Sequence, residues 1–236
     1  MKIGIIAAMD EELRFLHQEL TNSKIVRIGQ FTFHSGQIRD VDVVVTQCGI
    51  GKVNAAVGAT LLLENFKPDS LINIGVAGGF AQNIEIGDVV LSSEARHYDA
   101  DATAFEYEIG QIPKMPAKYT ADDALLHIAE SVDMRSDNVA VHQGVILSGD
   151  AFVHTPSQIA YLAKKFPDAL AVEMEGAAIA QTGFLFRVPF ILIRAISDKI
   201  RESENQITYA DSLHKAAKSS VKMTLGILET IHTRAA

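Results

Sequence analysis

The sequence predicts an α/β protein built around a mixed, mostly parallel sheet. Short apolar runs, rich in β-branched residues and closed by Gly, Asp or Glu, are typical of strands covered on both faces. Segments with helical periodicity separate these runs, and such alternation is typical of α/β folds. Residues Ile25 to Ile38 alternate apolar and polar side chains around Gly29 and Gly36. This pattern predicts a small antiparallel addition to the sheet.

The individual elements follow from these patterns. Strands are expected at Lys2–Met9, Val41–Cys48, Ser70–Gly75, Gly87–Ser92, Val139–Leu147, Ala169–Val172 and Val188–Ile193, and helices near 11–20, 52–65, 121–132, 156–166 and 175–187. A last helix is expected from about Thr208, because apolar residues recur there at spacings of three and four; they are Leu213, Ala217, Val221, Leu225, Leu228 and Ile231. Tyr98 to Tyr119 has little periodicity, and long loops of this kind often form lids or interfaces.

Composition limits the protein classes that remain. With 236 residues, 48% of them hydrophobic, the chain can form one large core, and we expect a single domain spanning 1–236. A net charge of −8 disfavours binding to nucleic acid or to anionic membranes. The single cysteine, Cys48, excludes an intrachain disulfide and favours the reducing cytoplasm. No signal-peptide pattern or membrane-spanning run is apparent.

Three predicted strands end on acidic residues. The run from Val188 leads to Asp198, Lys2–Met9 leads to Asp10-Glu11-Glu12, and Ala169–Val172 leads to Glu173-Met174-Glu175. The carboxyl ends of parallel strands share one edge of a sheet, so these acids can converge on one pocket. Asp10 and Glu11 are better explained as helix N-terminal residues, which the helix dipole favours. Asp198 is the candidate catalytic acid.

Two glycine-rich turns follow predicted strands. Gly49-Ile-Gly-Lys52 fits neither a Walker loop nor a dinucleotide fingerprint, because the spacing and the third glycine are wrong. Gly75-Val-Ala-Gly-Gly79 is a second such turn. These glycines allow close approach of the backbone to a ligand, and a plain tight turn is the alternative.

Arg194 and Phe152 are further site candidates. Arg194 lies inside an apolar strand, where a buried guanidinium needs a facing carboxylate, and we expect Glu12 or Glu175 to supply it. This ion pair belongs either to a functional site or to the structural core alone. Phe152 follows a strand and can stack on a flat heteroaromatic ring or simply fill the core.

Other chemistries lack their motifs. The eight histidines are scattered without a metal-ligand spacing, so no metal site is indicated. Gly-x-Ser-x-Gly is absent, which argues against a serine hydrolase of the nucleophile-elbow type.

Taken together, several motifs resemble the nucleoside phosphorylase and nucleosidase superfamily, and within it the 5′-methylthioadenosine/S-adenosylhomocysteine nucleosidases. The resemblance covers essentially the whole chain. The motifs that carry it are Ile3–Glu12, Gly49–Val53, Ala77–Gly79, Asp99–Phe105, Ser148–Phe152, Ala171–Glu175 and Arg194–Asp198.

The resemblance implies a dimeric αβα sandwich that hydrolyses the N-glycosidic bond of adenine thioribosides without a cofactor. Asp198 matches the acid that protonates adenine N7, and Ser197 matches the residue that orients it. Glu12 matches the residue that activates water, with Glu175 and Arg194 beside it. Substrate contacts are implied for Met9, Ile50, Gly78, Phe152, Val153, Glu173, Met174, Glu175 and Tyr209, and for Phe105 and Pro113 of the neighbouring subunit.

Some positions depart from the family pattern. Val76 stands where the family often has Ser, His97-Tyr98 reverses the commoner order, and Glu106 replaces a frequent Gly. These changes leave Asp198 and Glu12 in place but affect the loop.

Two alternatives remain open from the residues. A phosphorylase would use phosphate as the nucleophile, although Glu12 would repel the incoming dianion. A binding protein that holds adenine nucleosides without cleaving them is the alternative outside the enzyme class.

Overall fold

The computed structural model of the chain describes residues 1–201 and 205–235, with the side chains of 205–211 and 235 outside the description. The strands are β1 (Lys2–Ala7), β2 (Thr21–Ile28), β3 (Phe31–Ile38), β4 (Val41–Gln47), β5 (Ser70–Gly79), β6 (Val89–His97), β7 (Tyr119–Thr120), β8 (Val141–Ser148), β9 (Ala169–Glu173) and β10 (Phe190–Lys199). The α-helices are α1 (Asp10–Glu19), α2 (Lys52–Phe66), α3 (Asp123–Glu130), α4 (Pro156–Lys165), α5 (Gly176–Phe186) and α6 (Asn205–Ala235).

The strands form a mixed sheet in the order β10-β6-β8-β9-β5-β1-β4-β3-β2, with β7 beside β6. Strands β4, β1, β5 and β10 run parallel to one another, and β6, β8 and β9 form a second parallel set. The two sets meet in antiparallel pairs, β10 with β6 and β5 with β9. Because β10 also pairs with β5, five strands close into a ring. The expected mixed sheet and the β2–β3 excursion are confirmed.

Alternate residues of the strands face two different helix layers. In β10, Ile191 and Ile193 belong to a core shared with α1, α3 and α6, whereas Phe190 and Leu192 belong to a core shared with α2 and α5. This period of two is what a sheet covered on both faces requires. The three-layer αβα architecture is therefore confirmed.

Helix α6 packs along the first of these layers. Ala217, Val221, Leu228 and Ile231 of the predicted stripe are buried, and Leu213 and Leu225 pack partly buried against the same core. The stripe prediction is confirmed, and the helix begins at Asn205, slightly before the predicted Thr208. No helix in the described ranges 1–201 and 205–235 is long and apolar enough to cross a membrane.

Parallel strands account for only part of the meeting of the acidic strand ends, because β1 and β10 run parallel to β5, as predicted, whereas β9 does not. We expected parallel strands to deliver them to one edge, but β9 runs antiparallel to β5, with Gly78 opposite Val172. Glu173, at the end of β9, therefore arrives from the direction opposite to that of Asp198. Ring closure brings the carboxyl ends of both parallel sets together, and a bulge between Ile196 and Asp198 shifts the register of β10 there.

The segment from Tyr98 to Tyr119 is a long loop, as predicted, with one short 3-10 helix at Thr103–Phe105. Its stem is fixed by a hydrogen bond from Gly110 N to Ala100 O at 2.9 Å. The side chain of Phe105 is 77% exposed, which is unusual for a phenylalanine.

Ile5 provides a test of the core. Its side chain is fully buried in β1, so Ile5→Ala should lower the free energy of unfolding by about 2–5 kcal/mol, since it removes methyl groups and leaves a cavity. Denaturant titration measures this change. Ile25→Ala is the matched control, because Ile25 is 60% exposed on β2, and it should change stability by less than about 0.5 kcal/mol. Equal losses of stability in Ile5→Ala and Ile25→Ala would contradict the assignment of Ile5 to the buried core.

Candidate active site

A cavity of about 170 Å³ lies where the two parallel sets of strands meet. The ends of β1, β5, β9 and β10 and the loops after β4 and β8 all contribute to its wall. Its lining residues are Ala8, Met9, Glu12, Ile50, Val76, Ala77, Gly78, Phe152, Val172, Glu173, Met174, Glu175, Ser197 and Asp198. Residues far apart in sequence, including Glu12 and Asp198, thus share one cavity.

Glu12 is held at the start of α1 by three backbone N–H groups. Its Oε2 accepts hydrogen bonds from Ala8 N and Met9 N, both at 2.9 Å, and its Oε1 accepts from Val76 N at 3.1 Å. Burial raises the pKa of Glu12, and these hydrogen bonds and the charge of Arg194 offset the rise only in part. Asp10 and Glu11, by contrast, are exposed first-turn residues of the helix.

Gly75 makes room for Glu12. A Cβ at this position would lie 2.8 Å from Glu12 Oε1 and 3.6 Å from Arg194 Cζ. The predicted turn at Gly75–Gly79 is wrong, because these residues continue β5 to its end. Gly75 is required for close packing of side chains against the backbone of the strand.

Arg194 is buried and pairs with Glu173, which corrects the prediction of Glu12 or Glu175. Its Nη2 lies 2.7 Å from Glu173 Oε2, and both side chains are at most 3% exposed. Asn73 Oδ1 and the carbonyl oxygen of Asn73, at 3.2 Å, accept further hydrogen bonds from the guanidinium. Burial lowers the pKa of Arg194, but the adjacent Glu173 carboxylate outweighs it and the net shift is upward. The misassignment arose because the direction of β9 was not known.

Glu173 fixes the turn that leads into α5. Its Oε2 accepts hydrogen bonds from Glu175 N at 3.0 Å and from Gly176 N at 2.8 Å, and its Oε1 accepts from the hydroxyl of Ser148. The Ser148 hydroxyl also accepts from Ala177 N at 2.7 Å. Because these bonds fix the backbone on both sides of Met174, they determine where the Glu175 side chain begins.

Glu175 precedes α5, and its side chain is buried near other acids. Its Oε1 accepts a hydrogen bond from Gly51 N at 2.7 Å. Burial and then the like charge of Glu173 raise the pKa of Glu175 to about 8, while Gly51 and Arg194 act in the opposite direction. Burial and the charge of Glu173 thus favour the protonated form of Glu175 relative to an exposed carboxyl group.

Ser197 and Asp198 form the opposite wall of the cavity, at the bulge in β10. The Ser197 hydroxyl donates to Asp198 Oδ1 at 2.8 Å and lies 3.3 Å from the carbonyl oxygen of Ala77. Both side chains are at most 1% exposed. Gly78 lies directly beneath them, since a Cβ there would approach Asp198 Oδ2 to 3.2 Å.

The apolar and aromatic candidates surround these acids. Met9, Ile50, Met174 and Phe152 line the cavity, and Phe152 is 39% exposed, so it does not simply fill the core. Val153 is buried and lines a smaller adjoining cavity of about 30 Å³.

Two predicted contacts lie outside the cavity of their own chain. Phe105 and Pro113 are exposed on the long loop and do not line the cavity of their own chain. The side chain of Tyr209 lies outside the described residues.

Asn73 and Ser148, which bind Arg194 and Glu173, were missed as supporting residues. A buried polar residue inside the apolar run Ser70–Gly75 was the available signal for Asn73.

The departures from the family pattern have structural explanations. Val76 contributes its backbone N–H to Glu12, and this contact does not depend on the side chain. His97 is buried, with Nε2 3.0 Å from Gln181 Oε1. Glu106 adopts a φ of 66°, in the left-handed region that favours glycine. Within the described part of the chain, no three or more His, Cys, Asp or Glu side chains are grouped to hold a metal ion.

Comparison with protein families assigns the chain to a superfamily. The model of the phosphorylase superfamily matches residues 2–229. This range includes every residue that lines the cavity, from Ala8 to Asp198.

Individual relatives narrow the assignment. A 5′-methylthioadenosine/S-adenosylhomocysteine nucleosidase of Maridesulfovibrio salexigens is 62% identical over 231 residues, which are 98% of this chain and 100% of the relative. The nucleosidase of Colwellia psychrerythraea, solved in complex with adenine, has a TM-score of 0.95 at 41% identity, covering 98% of this chain and 95% of that one. The Neisseria meningitidis nucleosidase, solved with methylthio-immucillin-A, has a TM-score of 0.93 at 39% identity, covering 97% and 98%. The chain belongs to this nucleosidase family.

The raised pKa of Glu175 predicts a pH-dependent stability. Between the ordinary value of 4.5 and about 8, the folded protein holds a proton on Glu175 that the unfolded chain has released. The free energy of unfolding contributed by this group therefore falls as pH rises through that window. Glu175→Gln should remove the decline, so its stability relative to the wild type increases with pH in denaturant titrations.

Glu11→Gln is the control for this experiment. Glu11 is exposed in the same set of acidic strand ends, and its substitution should leave the pH dependence of stability unchanged. The prediction would be contradicted if the free energies of unfolding of Glu175→Gln and of the wild type changed in parallel with pH between 4.5 and about 8.

Proposed function

We propose that the protein hydrolyses the N-glycosidic bond of 5′-methylthioadenosine and S-adenosylhomocysteine, releasing adenine and the thioribose product. The observation that carries the proposal is one cavity lined by both Asp198 and Glu12, in a chain of the nucleosidase family. The adenine and methylthio-immucillin-A complexes of its relatives indicate the size and chemistry of the ligand.

Asp198 is the proposed acid. Cleavage of the bond leaves positive charge on the sugar and negative charge on adenine, and protonation of N7 makes adenine a better leaving group. The hydroxyl of Ser197 donates to Asp198 Oδ1, which fixes the orientation of the carboxyl group and directs its other oxygen to the base.

Glu12 is the proposed general base that activates water. Its raised pKa brings it closer to neutral pH than an exposed carboxylate, which is favourable for proton transfer at working pH. Water attacks the anomeric carbon as the bond to adenine breaks, and Glu12 accepts the proton that the water releases.

Glu175 and Met174 are the proposed ribose contacts. In its protonated form Glu175 can donate one hydrogen bond and accept another, which suits a pair of hydroxyls. The carbonyl dipole of Glu175 and, in the ionised fraction, its negative charge stabilise the positive charge that develops on the sugar in the transition state. Arg194 acts through Glu173, whose carboxylate holds the turn that carries both residues.

The remaining contacts divide between the base and the 5′ substituent. Phe152 stacks on adenine, the backbone of Val153 reads the edge of the base, and Gly78 leaves space beneath the acid. Met9, Ile50 and Tyr209 form the apolar pocket for the alkylthio group.

We further propose that the chain is a single-domain homodimer in which Phe105 and Pro113 complete the neighbouring site. The exposure of Phe105 on a loop with a fixed stem supports this assignment. The dimer acts in the cytoplasm, a location supported by a sequence whose one cysteine is free.

Hydrolysis is favoured over phosphorolysis by the charge of the cavity. Its wall, as described, contains Glu12, Glu173, Glu175 and Asp198 but no lysine or arginine side chain. An incoming phosphate dianion would meet like charges without a cation. Adenine release that depends on added phosphate would reverse this assignment, and absence of release at high protein concentration would favour a non-catalytic binding protein.

The acid and the base are tested by near-isosteric variants. Asp198→Asn should lower kcat by about 100-fold or more, because it removes the proton donor with little change in volume. Glu12→Gln should lose turnover while still binding a non-cleavable analogue in calorimetry. Adenine release from methylthioadenosine measures the rate, and Glu11→Gln, which alters an exposed neighbour, should retain wild-type activity. Near-normal turnover by Asp198→Asn would exclude it as the acid.

Mixed dimers test the contribution of the neighbouring loop. Phe105→Ala should raise KM, since it removes apolar surface from the partner's pocket. Mixing it with an excess of Asp198→Asn subunits should return KM to the wild-type value, because the surviving sites combine Asp198 from one chain with Phe105 from the other. A KM that stays raised in the mixture would show that Phe105 acts within its own chain.

A further inference from the structure

Three charged residues beside the cavity form a network that joins the loops after β4, β6 and β8. Lys52 is the first residue of α2, Asp99 follows β6 and Asp150 follows β8. We call them the Lys52–Asp99–Asp150 network. Asp99 and Asp150 do not line the cavity, and neither does Lys52.

The network is closed by three short contacts. Lys52 Nζ lies 2.6 Å from Asp99 Oδ1, Asp150 N donates to Asp99 Oδ2 at 2.9 Å, and Lys52 N donates to Asp150 Oδ1 at 2.8 Å. The side chains of Lys52 and Asp99 are only 21% and 29% exposed, so solvent screens their attraction less than that of a surface pair. Burial raises the pKa of Asp99, but Lys52 and the Asp150 N–H outweigh it and the net shift is downward.

The network leads directly to Glu175 through the residue before Lys52. Gly51 N donates to Glu175 Oε1 at 2.7 Å. Gly51 has a φ of 95°, and a Cβ there would lie 3.1 Å from Asp150 Oδ1. The amide of Gly51 points at Glu175 with a positive φ that favours glycine and with Asp150 closely packed against its Cα. The Lys and the glycine of this loop thus have a structural role.

We propose that the Lys52–Asp99–Asp150 network positions the Gly51 N–H against Glu175 and thereby sets the orientation of the ribose-binding carboxyl group. The inference deepens the proposed function, on which the role of Glu175 rests. Lys52, Asp99 and Asp150 are positioning residues, since they act through Gly51 and do not contact the substrate.

The same network links the ribose carboxyl group to the long loop. Asp99 is at the start of that loop, and Thr103 N and its hydroxyl are bound to Asp101 Oδ1 at 2.9 and 2.6 Å, just before Phe105. The ion pair of Asp99 with Lys52 thus connects the start of the long loop to the residue that follows Gly51.

The direct test is the titration of Glu175, because it requires no catalysis. Other groups that face Glu175 are Glu173, Arg194 and Glu12, and none of them is altered in the test variants. Loss of the Gly51 hydrogen bond would remove an interaction that favours the carboxylate. The carboxyl carbon of Glu175 can be followed by 13C NMR, and its resonance is identified by its absence in Glu175→Gln.

Two variants of opposite charge separate positioning from simple charge effects. Lys52→Met removes a positive charge and Asp99→Ala removes a negative one, so a through-space effect would move the pKa of Glu175 in opposite directions. Positioning through Gly51 predicts that both variants raise it. Lys222→Met is the control, because it breaks an exposed ion pair with Asp137 and should change nothing. If Lys52→Met does not fold, Asp99→Ala alone separates the two explanations, because positioning predicts a higher pKa of Glu175 in this variant and a through-space charge effect predicts a lower one.

Kinetics provide the second readout. Lys52→Met should lower kcat/KM for methylthioadenosine by about tenfold, the effect of one misplaced hydrogen bond. In a Glu175→Gln background the same substitution should change kcat/KM little, because the group that it positions is already altered. Opposite pKa shifts, no pKa shift, or additive kinetic losses would overturn the inference. A wild type that releases no adenine would instead refute the proposed function, and the NMR titration would still decide the positioning.

Discussion

The buried ion pair between Arg194 and Glu173 is the interaction on which the site is built. Two charges at most 3% exposed cost several kcal/mol to desolvate, so they require many partners. Asn73 and the N–H groups that follow Glu173 supply these partners. The pair consequently connects β10, β5 and β9, the three strands where parallel and antiparallel pairings meet. Removal of either charge would leave the other buried and uncompensated.

Around this pair the protein holds several acids in a small space and gives them different environments. Glu173 is neutralised by Arg194, Glu12 is surrounded by backbone N–H groups, and Glu175 receives one N–H but feels the charge of Glu173. Desolvation raises the pKa of both Glu12 and Glu175, and the like charge of Glu173 adds to the rise for Glu175, so chemically similar groups differ in what stabilises their charged forms. The hydroxyl of Ser197 gives Asp198 a fourth environment.

Much of this could be predicted from the sequence because the relevant signals are local. The apolar run before Asp198, the period of the α6 stripe and the alternation of β2 and β3 each depend on neighbouring residues. The partner of Arg194 could not be predicted, because it depends on β9 running antiparallel to β5, and a strand's direction is set by long-range pairing. The roles of Asn73, Ser148 and Lys52 were missed for the same reason: each acts on a residue distant in sequence.

The closed ring of strands also affects how the protein folds. Strand β10 pairs with β5 and β6, and both of these strands lie far before it in the chain. Contacts between residues so distant in sequence form slowly, because each requires a large loop to be ordered first. Until β10 is inserted, the edges of β5 and β6 are unpaired and expose backbone groups that other chains can bind. During synthesis, Asp198 and the strand that closes the ring around it therefore arrive together, late in the chain.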